Sequence, residues 1–180
     1  INNWGGSWFT LDDSTNGGTS VVSPIPGGIW YMTAEGANGT SYSARMTGTV
    51  TDDYEYGFVG MGTNLSASEA PVNCTGFIGI RFWAKADGHP YSVKLITDTI
   101  DTGDNDYKFT FIPPAPTGAG ATGEWQQYQI GFSEFTQEEY WGVEQPLAAV
   151  LGDLKAIHFQ TVGQPWPEVD FYVDEIELYP

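Results

Sequence analysis

At 180 residues with 41% hydrophobic side chains, the chain can bury about 70% of its unfolded surface in one domain and is too apolar to stay disordered. Its formal net charge of -17 excludes the basic footprint that nucleic acids and anionic membranes require, and leaves neutral glycans open. Cys74 is the only cysteine, which excludes an intramolecular disulfide and a cysteine-cluster zinc site, and no apolar run approaches transmembrane length.

Glycine and proline fall between short apolar runs, the punctuation of an all-β chain. Ser7–Leu11 is the first strand candidate. In Tyr42–Val50, Tyr42, Ala44, Met46 and Val50 alternate with Ser43, Arg45, Thr47 and Thr49, the period of a strand with one buried face. Tyr56–Met61 follows. Phe77–Ala86 sets Ile80, Phe82 and Ala84 on one face and Arg81, Trp83 and Lys85 on the other. Tyr91–Thr97 sets Val93 and Leu95 against Ser92, Lys94 and Ile96, and Tyr107–Phe111 sets three aromatics against Lys108 and Thr110.

The stretch Pro113–Gly123, rich in alanine, proline and glycine, reads as a long loop. Trp125–Phe132 turns Tyr128, Ile130 and Phe132 inward, and Pro146–Leu151 is the one helical candidate. Ala156–Thr161 places Ile157 and Phe159 opposite His158 and Gln160. Phe171–Leu178 closes the chain with a register shift expected near Glu175. Nine short strands with single apolar faces predict a β-sandwich jelly roll of two antiparallel sheets, one domain over residues 1–180. The chain opens at Ile1 without a signal-like segment, so it is expected to be a piece of a longer precursor.

Four strings occur in order: Gly79-Ile80-Arg81-Phe82-Trp83-Ala84-Lys85-Ala86-Asp87-Gly88, Glu124-Trp125 through Phe132-Ser133-Glu134-Phe135, Leu154-Lys155-Ala156-Ile157-His158-Phe159-Gln160, and Phe171-Tyr172-Val173-Asp174-Glu175-Ile176-Glu177-Leu178. Together they resemble the family 11 carbohydrate-binding modules and the related domains named after the complex I intermediate-associated protein, over roughly Trp4 to Leu178. The resemblance implies a concave cleft that binds β-glucan chains, attachment to a plant cell-wall hydrolase, and structural calcium with Asp174 as a ligand. It also implies an aromatic, Tyr140 or Trp141, after the Phe-Ser-x-Phe string, and an inward, core-packed Trp125.

A sugar ring stacks its apolar face on an aromatic ring while its hydroxyls seek polar groups at the edge. Trp141, Tyr140, Tyr56 and Trp83 are the candidate platforms. Arg81, Lys94, His158, Gln160 and Asp104 are the candidate hydroxyl partners; for each outward strand residue the alternative is an ordinary solvated position. Asp101–Asp106 is acidic but lacks the downstream glutamate of an EF-hand.

A retaining glycosidase needs two facing carboxyls. Asp174 and Glu175 point to opposite faces of a regular strand, so no catalytic residue is assigned. The expectation is a non-catalytic, monomeric, secreted bacterial module. It would bind a neutral β-1,4 or mixed-linkage glucan and target an appended glycoside hydrolase. The alternatives are a protein-interaction domain of the complex I-associated type and a jelly-roll glycosidase.

Overall fold

The computed structural model describes residues 1–117 and 123–180. Ten strands follow in chain order: β1 (Trp8–Asp12), β2 (Val21–Ser23), β3 (Ala44–Val50), β4 (Val59–Asn64), β5 (Gly79–Ala86), β6 (Tyr91–Thr97), β7 (Tyr107–Phe111), β8 (Gln126–Gly131), β9 (Leu154–Thr161) and β10 (Trp166–Tyr179). One short helix, α1 (Leu147–Gly152), precedes β9. The strands form two five-stranded sheets, ordered β1-β4-β9-β6-β7 and β2-β3-β10-β5-β8, with every pairing antiparallel. The architecture is the predicted all-β sandwich. Among the described residues no helix is long and apolar enough to cross a membrane.

The alternation read from the sequence sets the core. Ile80, Phe82, Ala84, Val93, Leu95, Ile157 and Phe159 are all fully buried between the sheets. Phe82 of one sheet meets Phe159 of the other edge to face at 5.0 Å, with Phe111 at 5.3 Å and Tyr128 at 5.5 Å. The expected shift on the last strand is present. Glu175 sits at φ +46 and the pairing with β5 slips between Asp174 and Glu177, so Phe171 and Val173 face inward before the bulge, and Ile176 and Leu178 still reach the core after it.

Several expectations differ from the structure. β2 is not among the candidates, because three residues ending just before Pro24 are too short to show a period. It pairs with β3 where Gly48 lets the Val21 carbonyl approach, since a Cβ there would stand 2.3 Å from that oxygen. Tyr42 lies before β3 and is 58% exposed, while Ser43 is buried and bridges Thr33. Tyr56 belongs to the loop ahead of β4, not to the strand.

Trp125 is not a core residue. It stands edge-on to Tyr172 at 6.1 Å on the outer face of the second sheet, and the Lys85 ammonium lies over both rings. Lys85 is outward by alternation, yet those rings and its ion pair with Glu35 leave it 1% exposed. The described ends of the long loop, residues 113–117 and Gly123, carry no strand; the rest of that prediction falls outside the described residues.

Candidate binding cleft

On the outer face of the first sheet β4 presents glycine. Val59 and Met61 face the core, so Gly60 and Gly62 face out. A Cβ on Gly62 would stand 2.5 Å from Cδ2 of His158 and 2.7 Å from Cζ of Phe9, and one on Gly60 would press on Leu11. The missing side chains let Phe9 of β1 and His158 of β9 meet edge to face at 5.2 Å. On the other side of His158 the same face holds a cleft of about 1010 Å³.

Strand residues make the floor: Lys94 from β6, His158 and Gln160 from β9, with Leu11 from β1. Loops make the walls. On one side Tyr54, Tyr56 and Phe58 precede β4; on the other the loop of residues 98–106 meets Glu138 and Trp141. Tyr54 and Tyr56 have ring centroids 5.9 Å apart, and Tyr56 and Trp141 6.0 Å apart with planes inclined by 49°. Tyr56 is 58% and Trp141 49% exposed, so each ring keeps a face open to a ligand.

The tyrosine wall is tied down by Asp13, a fully buried carboxylate. It accepts from the Phe58 N–H at 3.2 Å, the Ser20 N–H at 3.0 Å and the Ser20 hydroxyl at 2.6 Å. Gly18 makes room for it, since a Cβ there would stand 2.2 Å from the carboxyl carbon.

The charges in the cleft are of both signs. Lys108 pairs with Glu138, whose carboxyl is held below the usual range by that hydrogen bond. Burial pulls the Lys94 ammonium down from its usual range, partly offset by Asp106 and Asp104. Among the described residues Lys94 takes part in no ion pair. Burial pushes the Asp106 carboxyl up, against the pull of Lys94 and a 3.1 Å bond from the Thr102 hydroxyl. Burial, reinforced by Lys94, pushes the His158 imidazole down to about 3.

That depression has a sign. The unfolded imidazole takes a proton near its ordinary 6.5 and the folded one only near 3. Between those values the unfolded chain binds more protons. The stability contributed by neutral His158 is therefore whole above the ordinary value and is lost as the pH falls toward the folded one. His158→Gln should shrink the difference between urea midpoints at about pH 7 and about pH 4 relative to wild type. Equal differences in the two proteins would show an imidazole free to charge in the folded state.

The structure brings together Trp141, Tyr56, Lys94, His158, Gln160 and Asp104 from the residues singled out in the sequence. It does not bring in the other three. Arg81 and Trp83 are outward as predicted, but β5 belongs to the second sheet, where Arg81 bonds Glu177 at 2.5 Å and Trp83 lies opposite Asp174. Tyr140 adjoins Trp141 but is fully exposed at φ +64 and does not line the cleft. Sequence reasoning passed over Tyr54, which its spacing of two residues from Tyr56 signals, and Asn105, whose role depends on a contact far along the chain.

The model of the family described as Complex I intermediate-associated protein 30 (CIA30) matches residues 5–171. Endoglucanase 3 of Fibrobacter succinogenes is 28% identical over 186 residues, which take in 97% of this chain and 25% of that protein. The chain thus spans a quarter of the length of that curated relative. Among solved structures, a family 11 carbohydrate-binding module from Clostridium thermocellum in complex with a β-1,3-1,4-mixed-linked tetrasaccharide superposes with a TM-score of 0.65 at 18% identity, over 99% of this chain and 93% of that one. A family 30 carbohydrate-binding module superposes with a TM-score of 0.58 at 11% identity, over 88% and 78%. At such identities these two likenesses establish the fold.

Proposed function

The chain belongs to the CIA30 family, and from that membership and the cleft we propose that it is a non-catalytic module that binds a neutral β-glucan chain and targets an appended, secreted glycoside hydrolase. The observation that carries the reading is the half-open Tyr56 and Trp141 pair standing over a floor of Lys94, His158 and Gln160. Stacked rings take the apolar faces of sugars, and the ammonium and amide take hydroxyls. The acidic rim at Asp98, Asp101 and Asp104 repels polyanionic glycans and tolerates neutral ones. The relative named an endoglucanase and the module solved with a mixed-linkage tetrasaccharide support this choice of polymer.

Affinity electrophoresis in gels containing β-glucan, xyloglucan, xylan or mannan tests it. Retardation by β-glucan is the expected result. Passage unretarded through all four polymers would move the assignment to a protein-interaction domain. Asp104 and Asp106 on the same rim make hydrolysis the rival activity to assay. Release of reducing ends from these polymers, abolished by Asp106→Asn, would replace the binding reading with a glycosidase.

Calcium at Asp174 is a separate part of the proposal. Its carboxylate lies at the bulge on β10, where Oδ2 accepts from the Ala37 N–H at 2.9 Å and Oδ1 from the Glu175 N–H at 2.8 Å. The Thr40 hydroxyl contacts both Asp174 Oδ2 and the Ala37 carbonyl, yet carries one proton for two acceptors. Oxygens crowded in this way suit a hard cation. Among the described residues no group of three His, Cys, Asp or Glu side chains gathers to hold a metal, so the ion would draw on Asp174, Thr40 and backbone carbonyls.

Its role there would be structural, joining the loop around Ala37 to β10. At a hundredfold excess over Kd the ion contributes about 2.7 kcal/mol. For a domain of this size that is a melting shift of roughly 5–10 °C. Excess chelator should lower the melting midpoint and added calcium restore it. An unmoved midpoint, with no metal on elemental analysis, would remove the site.

A further inference from the structure

We propose that Asn105 is the positioning residue of the cleft, a side chain that never needs to touch the ligand but sets where the Trp141 ring stands. The inference rests on the assignment of Trp141 as a sugar platform. Trp141 lies on an irregular loop with no strand of its own, so something outside that loop must hold it.

Asn105 is 3% exposed and uses its amide in both directions. Nδ2 donates to the Glu138 carbonyl at 2.9 Å and the Trp141 carbonyl at 2.6 Å, and Oδ1 accepts from the Glu138 N–H at 2.8 Å. Two ends of the platform loop are thus bound to one side chain. The backbone completes the clamp. The Val143 N–H donates to the Thr102 carbonyl at 2.7 Å, and Gly142, at φ +57, lies so close that a Cβ would stand 2.5 Å from that carbonyl and 2.6 Å from Cβ of Asn105.

Only an amide serves here. An aspartate would turn two donor contacts into a carboxylate facing two carbonyl oxygens, and an alanine would leave both carbonyls and an N–H without partners. Neither change alters the Trp141 ring, and Asn105, although it lines the cleft, is 3% exposed with its amide turned to the loop, so an effect on binding travels through the position of the loop.

The test uses protein labelled with fluorotryptophan, which carries seven tryptophans and hence seven fluorine resonances, the Trp141 signal being identified by its loss in Trp141→Phe. Asn105→Ala should shift or broaden the Trp141 resonance and leave the other six in place. Gly142→Ala, which attacks the same contact from the loop side, should move the same signal. Both variants should lose retardation by β-glucan, with Kd weakened on the order of tenfold.

An unmoved Trp141 resonance in both variants overturns the proposal. So does a moved resonance with unchanged retardation, and so does collapse of all seven signals in both variants, which would make Asn105 a residue of the fold and not of the platform. A wild type that binds none of the four polymers removes the glycan assignment, while the fluorine shift still reports on the clamp.

Discussion

Trp141→Ala is expected to weaken retention by soluble β-glucan on the order of thirtyfold. The indole contributes stacking of about 0.5–1.5 kcal/mol plus the apolar area it buries under the sugar, about 2 kcal/mol together. Tyr56→Ala should follow with a smaller loss, because its ring lies against both Tyr54 and Trp141 and the wall keeps two of its three rings. Loss of ring ordering offsets part of each contribution, so the wild type itself should bind weakly and at several points along the polymer. Mobility in gels with and without polymer gives both constants. Equal retardation of Trp141→Ala and wild type would take the indole out of the site. Because Trp141 is about half exposed, the variant should melt within about 0.5 kcal/mol of wild type, which separates lost binding from lost fold.

Phe82→Ala is expected to be the most damaging substitution to the fold, at about 3–5 kcal/mol. Phe82 is fully buried on β5 and touches Phe159 across the sandwich, Phe111 on the far edge of the first sheet, and Tyr128 on β8. Truncation removes a ring that meets all three, and strands fixed by their ladders cannot collapse into the space. For a domain of this size the melting midpoint should fall by roughly 10 °C. A loss below about 1 kcal/mol would show that neighbouring rings can fill the gap. If the folded fraction of this variant keeps wild-type retardation by β-glucan, the cleft on the outer face is decoupled from the core beneath it.

These two positions also divide what was legible in the sequence from what was not. Phe82 could be read as core because side-chain direction along a strand is a property of neighbouring peptide units: Ile80, Phe82 and Ala84 share a face whatever the strand pairs with. The same local rule placed Val93 with Leu95 and Ile157 with Phe159, and the break in it at Glu175 disclosed the bulge on β10. The glycine content and the number of short alternating runs were enough to determine a β-sandwich.

Alternation says which residues point out, but not out of which sheet. Arg81 and Trp83 obey the same period as Lys94 and His158, yet β5 pairs with β10 and β6 with β9, so one pair faces away from the cleft and the other forms its floor. That choice depends on ladders between strands far apart in the chain. The bare backbone at Gly62 likewise acquires meaning only when Phe9 and His158 meet over it from two other strands. Trp141 stands at the cleft beside Tyr56, 85 positions earlier and 6.0 Å away, and the Asn105 amide binds its loop; neither contact is local. Local covalent geometry determined the strands and their faces, and long-range pairing, which no short stretch of sequence encodes by itself, decided the cleft.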